Sequence, residues 1–240
     1  MRRERIAVGP HCVSYAIAGG GEPLVLVHGL AGSGRWWSRN VAALAAGRRV
    51  FVVDLPGFGD STAGVPFSPV DAPRFLLAWA DRVGIGCAAW AGHSMGGRAV
   101  AELAADAPER VSRLVLVDAP VFPAGPDWPV SMRGLLLTLR HAAPSLLPVV
   151  AEDVLRTGPL STTRSARDVL ATGIGGRLQA IEAPTLLVWG ENDRLVPPNV
   201  GRRIAARIPD ARFVVIPGGD HAPMWGRADL FNEVVSDFLG

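Results

Sequence analysis

Residues 88–106 read AAWAGHSMGGRAVAELAAD, and the change of character within this stretch decides the fold. The apolar run Ala88-Ala89-Trp90-Ala91 gives way at Gly92-His93-Ser94-Met95-Gly96 to a pattern of helical period. A strand that turns directly into a helix crowds the residue at the corner, and flanking glycines leave room for the backbone. Ser94 then projects its hydroxyl from the strand end, with the positive end of a helix beneath it. The bare G-x-S-x-G pattern is weak, and its plain alternative is a glycine-rich turn with a capping serine. The downstream sequence favours a reactive serine.

Outward from this corner, short β-rich runs alternate with helical stretches, as in a mainly parallel sheet covered by helices on both faces. The expected strands are residues 12–18, 24–28, 50–54, 88–92, 114–118, 185–189 and 213–216. Runs such as PLVLVHG and RLVLVDAP are apolar throughout, as strands buried on both faces are. Helices are expected at about 35–45, 70–83, 95–107, 198–208 and 230–239. The rhythm breaks after Ala119 and resumes at Pro184. Between them Pro120, Pro123, Pro126, Pro129, Pro144, Pro148 and Pro159 interrupt apolar stretches such as LLLTLR, which predicts short helices rather than strands. The expected organisation is an α/β core over residues 1–119 and 183–240, with a small helical cap, or lid, inserted at 120–182.

The chain has 240 residues, 49% of them hydrophobic, enough for one domain that buries roughly 70–75% of its unfolded surface. A formal charge of +2 gives no reason to expect a nucleic acid or an anionic membrane as partner. All 24 basic residues are Arg, and without Lys neither Schiff-base chemistry nor a Walker-type phosphate loop can be built. Cys12 and Cys87 cannot form a disulfide framework, and no Cys/His cluster has the spacing of a zinc site. The N-terminus lacks an apolar signal region, and no run approaches the ~20 residues of a membrane span. A cytoplasmic protein without metal or cofactor is expected, monomeric or a small homo-oligomer.

A serine hydroxyl attacks well only when a base takes its proton. Of the five histidines, His11 lies before the expected sheet and His141 in the expected cap. His93 is next to Ser94 in sequence and poorly placed to reach its hydroxyl, while His28 suits bracing the His28-Gly29 turn. His221 remains, in the PGGDHAP loop after the last expected strand. The base needs a carboxylate to hold its tautomer. Asp193 in GENDRLVP is the expected acid, Asp118 at the end of RLVLVD is its competitor, and Asp220 would have to fold back sharply. The developing oxyanion needs donors, expected from the backbone N–H groups of Met95 and Leu30.

The segments HGLAGSGRWW, DLPGFGDS, GHSMGGR, GENDRLVP and GGDHAPM, in this order, resemble the α/β-hydrolase family over nearly the whole chain. The order Ser94, Asp193, His221 is the one that resemblance implies. Within the family the chain is similar to the serine carboxylesterases of biotin synthesis, which act on the methyl ester of a pimeloyl group on acyl carrier protein. The shared features are the short length, Trp37 after the oxyanion loop, LPGFGDS, HAP around His221 and PVFPAGPDWP. That resemblance implies a cap whose arginines hold an acidic carrier, here Arg133, Arg140, Arg156, Arg164 and Arg167 against Glu152 and Asp153. Leu30 stands where those relatives have Trp. Arg98 after SMGG is similar to the menaquinone-pathway synthase that eliminates pyruvate with the same triad. The leading expectation is hydrolysis of a carboxylic ester, small or carrier-bound, through an acyl-enzyme. The alternative is C–C hydrolysis or pyruvate elimination on the same triad, and a non-catalytic receptor is the third reading.

Overall fold

The computed structural model describes residues 1–122 and 142–240. Eight strands form one sheet: β1 (Arg2–Val8), β2 (His11–Ala18), β3 (Pro23–Val27), β4 (Arg49–Val53), β5 (Ala88–His93), β6 (Val111–Val117), β7 (Thr185–Gly190) and β8 (Ala211–Ile216). Their order is β1-β2-β4-β3-β5-β6-β7-β8, with β1 and β2 antiparallel to their neighbours and all later pairs parallel. β1 was not expected from the sequence. Only Val8 of its seven residues is buried, because it is an edge strand that carries charge outward instead of a hydrophobic pattern. Gly9, at φ 56°, turns the chain back into β2, so His11 begins a strand instead of preceding the sheet.

The α-helices are α1 (Val41–Leu44), α2 (Ala72–Arg82), α3 (Met95–Asp106), α4 (Leu147–Thr157), α5 (Pro159–Ala171), α6 (Pro198–Ala205), α7 (Pro223–Gly226) and α8 (Ala228–Leu239). The helix expected at 35–45 is broken into a 3₁₀ turn, Gly34–Trp37, and the short α1. Asn40 sits at the break, with its buried amide donating to the Met224 carbonyl and to Asn232 Oδ1, each at 2.8 Å. Between β6 and β7 the described residues hold α4, α5 and a 3₁₀ turn, Gly175–Ala180, and no strand, and Pro148 and Pro159 lie in the first turns of α4 and α5, where an N–H is not needed. Arg133, Arg140, His141 and the LLLTLR segment lie outside the described residues.

The parallel strands are apolar on both faces because two cores sandwich them. Val25, Val27, Leu114 and Leu187 pack with Trp79, Val100 and Ile204 on one side. Leu24, Leu26, Val115 and Leu186 pack with Trp37, Phe231 and Val235 on the other. β3 is where the strand order reverses, and the loops after β3, β5, β7 and β8 meet at their carboxyl ends. In open parallel sheets this crevice is where ligands bind. Among the described residues no helix is long and apolar enough to cross a membrane.

Candidate active site

Ser94 occupies the corner between β5 and α3 with φ 50° and ψ −116°, a backbone state that costs a non-glycine residue about 1–3 kcal/mol. The surroundings hold it there. The Ser94 N–H donates to the Val117 carbonyl at 2.8 Å, and its own carbonyl accepts from the Arg98 N–H at 3.0 Å. A Cβ at Gly92 would lie 2.4 Å from the Gly96 carbonyl oxygen, and one at Gly96 would lie 2.4 Å from that of His28. Glycine is therefore required on both sides of the corner. The Ser94 hydroxyl does not cap α3. It lies 3.0 Å from His221 Nε2.

The expected constellation is brought together. His221 Nδ1 is 2.7 Å from Asp193 Oδ2, and since a carboxylate only accepts, Nδ1 carries the proton and Nε2 is free to receive that of Ser94. Asp193 is held by its own turn, with Oδ1 accepting from the Leu195 and Val196 N–H groups at 2.8 and 2.9 Å. Leu30 follows Gly29, where an added Cβ would lie 3.3 Å from Ser94 Cβ, and Met95 follows Ser94; neither backbone N–H is paired with another described residue. Met95 is the first residue of α3, where the helix offers no internal acceptor. The His28 ring braces the loop below, donating from Nδ1 to the Gly29 carbonyl and accepting the Leu55 N–H at Nε2.

The competing acids are placed elsewhere. Asp118, fully buried at φ 47° after β6, accepts the Gly190 N–H at 3.0 Å, and no donor meets its other oxygen among the described residues. Burial, with the neighbouring Asp193 carboxylate, pushes the Asp118 carboxyl well above the usual range. Asp220 turns from His221, accepting the N–H groups of Ala222 and Ala143 at 2.8 and 3.0 Å. Arg98, which carries the resemblance to the menaquinone-pathway synthase, donates to the Val169 carbonyl at 2.7 Å and to Thr172 Oγ1 at 2.6 Å. Arg156 is paired with Asp60 and Glu152, whereas Arg164 and Arg167 are exposed.

His93 is the residue that sequence reasoning passed over. It is too close in sequence to reach the Ser94 hydroxyl, yet its Nε2 lies 2.7 Å from the backbone carbonyl of His221. One atom each of His93, Asp118 and His221 falls within 4.8 Å of the others. A metal ion there would have to compete with the Ser94 and Asp193 contacts of His221.

Residues 22–160 and 169–228 match the family described as the alpha/beta hydrolase fold. The chain belongs to the alpha/beta hydrolase family. It is 35% identical to the 2-hydroxy-6-oxononadienedioate/2-hydroxy-6-oxononatrienedioate hydrolase of Paraburkholderia phymatum, over 95% of this chain and 91% of that protein. It is 32% identical to the 2-hydroxy-6-oxo-6-phenylhexa-2,4-dienoate hydrolase of Burkholderia cepacia, over 92% and 89%. Among solved alpha/beta hydrolases, the enol-lactonase of Burkholderia xenovorans LB400 superposes with a TM-score of 0.84 at 25% identity, covering 98% of this chain and 99% of that one. The protein is a hydrolase. By their names, the Paraburkholderia phymatum and Burkholderia cepacia relatives are hydrolases of 2-hydroxy-6-oxo acids, not of a carrier-protein methyl ester.

Proposed function

We propose that the protein is a serine hydrolase that cleaves the carbon–carbon bond beside the ketone of a 2-hydroxy-6-oxo-dienoate type of acid. The observation that carries the hydrolytic reading is the unbroken line from Ser94 Oγ through the His221 ring to Asp193, at 3.0 and 2.7 Å. The two hydrolases of such acids, alike over nine-tenths of this chain, support the choice of bond. In this reading Ser94 Oγ bonds to the ketone carbon while His221 Nε2 takes its proton, and Asp193 supports the imidazolium. The Leu30 and Met95 N–H groups are the donors this scheme assigns to the oxyanion; losing one such donor costs about 10²–10³-fold in rate. Before this attack the 2-hydroxyl proton of the dienol shifts through solvent to C5, giving the 2,6-dioxo-3-enoate. Collapse of the Ser94 adduct then breaks the C5–C6 bond, its electron pair passes through C3=C4 to the C2 carbonyl oxygen, and the His221 proton is delivered to that dienolate. Water, deprotonated by His221, then releases the acyl group from Ser94. The residues of this scheme need neither metal nor cofactor.

Cleavage of an ester or lactone is the second reading, supported by the likeness to the enol-lactonase. It needs the same steps with an oxygen leaving group. The two are separated by measuring kcat/KM for 2-hydroxy-6-oxo-6-phenylhexa-2,4-dienoate beside p-nitrophenyl butyrate and a carrier-protein methyl ester. The keto acid is expected to exceed both esters by about tenfold or more, and Ser94→Ala to lose about 10⁴-fold or more while remaining folded. Faster turnover of either ester reverses the choice of bond. Near-wild-type turnover by Ser94→Ala removes the nucleophile.

A further inference from the structure

The His93 ring lies in the middle of the site without touching the Ser94 hydroxyl. Its ring centroid is 5.0 Å from that of His221 and 5.4 Å from that of Trp36. A Cβ at Gly29 would come within 2.6 Å of His93 Nδ1, so the oxyanion loop rests directly on the ring. A carbonyl oxygen only accepts, so Nε2 is the protonated nitrogen and donates to the His221 carbonyl. Nδ1 is buried without a partner, which disfavours a second proton, and burial holds the ring neutral far below its ordinary titration range.

Trp36 carries the connection outward. Its Nε1–H donates at 3.0 Å to Asp153 of α4, a carboxylate with no exposed surface. The same carboxylate accepts from Ser33 Oγ at 2.9 Å and Arg35 Nη2 at 2.6 Å, so three side chains between Ser33 and Trp36 bind one acid of α4. An unpaired carboxylate at this depth would be costly, which makes the contact depend on α4 lying in place.

We propose that His93 is a positioning residue of this site: its Nε2–H fixes the backbone of His221 against Ser94, and its packing on Trp36 couples that bond to the docking of α4 through Asp153. The inference rests on the reading of Ser94 and His221 as nucleophile and base. A histidine that merely filled space would be replaceable by any ring of its size, whereas a positioning donor is replaceable only by another N–H.

The test compares His93→Phe, which keeps the ring and loses the donor, with His93→Gln, which keeps an amide N–H, and with Trp36→Phe. Two readouts are taken: the rate at which a fluorophosphonate labels Ser94, and the low-field NMR signal of the His221 Nδ1 proton. His93→Phe is expected to label about 10–100-fold slower and to broaden that signal, since a small misplacement of a reacting group costs up to about 10²-fold. His93→Gln should stay within about threefold of wild type. Trp36→Phe should slow labelling by about 3–10-fold and add little on top of His93→Phe, because coupled sites are not additive. Wild-type labelling and an unchanged signal in His93→Phe overturn the inference. Should His93→Phe not fold, Trp36→Phe decides, an unchanged rate counting against and a slowed one for. If the wild type itself is not labelled, the hydrolytic reading fails, and the NMR signal alone decides the positioning role.

Discussion

Asp118 and Asp193 end neighbouring strands and lie against one another, yet only Asp193 reaches the imidazole. Asp193→Asn is expected to lower kcat by about 10⁴-fold, because the amide favours the wrong tautomer of the base. Asp118→Asn should cost orders of magnitude less, and the reverse ranking in steady-state kinetics would move the acid to the end of β6. The raised Asp118 carboxyl also makes a prediction for stability. Below about pH 4 the group is protonated in both the folded and the unfolded chain. Above that, the unfolded chain releases the proton while the folded chain keeps it, so folding loses stability as pH rises toward the folded titration point. Asn cannot ionise and escapes this loss. The advantage of Asp118→Asn over wild type in urea unfolding should therefore grow from about pH 4 upward, by about 1.4 kcal/mol per pH unit at most. A difference that stays flat between about pH 4 and 8 would show that Asp118 titrates normally in the folded protein. That Ser94, His221 and Asp193 meet was legible one residue at a time, from a strand-to-helix corner, a strand-end loop and an acidic turn. His93 was not, because its partner is a backbone carbonyl 128 positions away, which no spacing rule encodes.

At the scale of elements, α3 supports Ser94 with its first turn and holds α5 with the side chain of Arg98. That guanidinium reaches the Val169 carbonyl near the C-terminal end of α5, where a cation is favoured. Arg98→Met is expected to destabilise the protein by about 1–3 kcal/mol in urea unfolding, the scale of hydrogen bonds to a charged group. KM for a carboxylate-bearing substrate should stay within about threefold of wild type, since the Arg98 guanidinium is engaged by Val169 of α5, Thr172 and Glu102. A much higher KM at unchanged stability would make Arg98 a substrate cation instead. The helices at 72–82, 95–106 and 198–205 followed their sequence periodicity to within a turn at either end. The expected helix at 35–45 did not. Trp37 must enter one core, and Asn40 is used to tie this segment to Met224 and Asn232, demands that come from across the molecule.

Across the whole molecule, the sheet order brings loops from four parts of the chain to one crevice, where Ser94 and His221 meet across 127 positions. The apolar strands, the alternation with helices and the glycines around Ser94 are local properties, and they determined an α/β sheet with a sharp strand-to-helix corner at Ser94 from sequence alone. The charged edge strand β1 escaped notice, because its first four residues are Arg-Arg-Glu-Arg and only Ile6 and Val8 mark the face that meets the core. Tertiary structure alone buried Asp118 against Gly190, gave Asp220 and Arg98 their partners, and set His93 between Trp36 and the His221 backbone. The physical reason is common to these cases. Residue type states which hydrogen bonds a side chain can make, but which partner it meets depends on burial and on chain segments far apart in sequence, and only the folded packing brings those together.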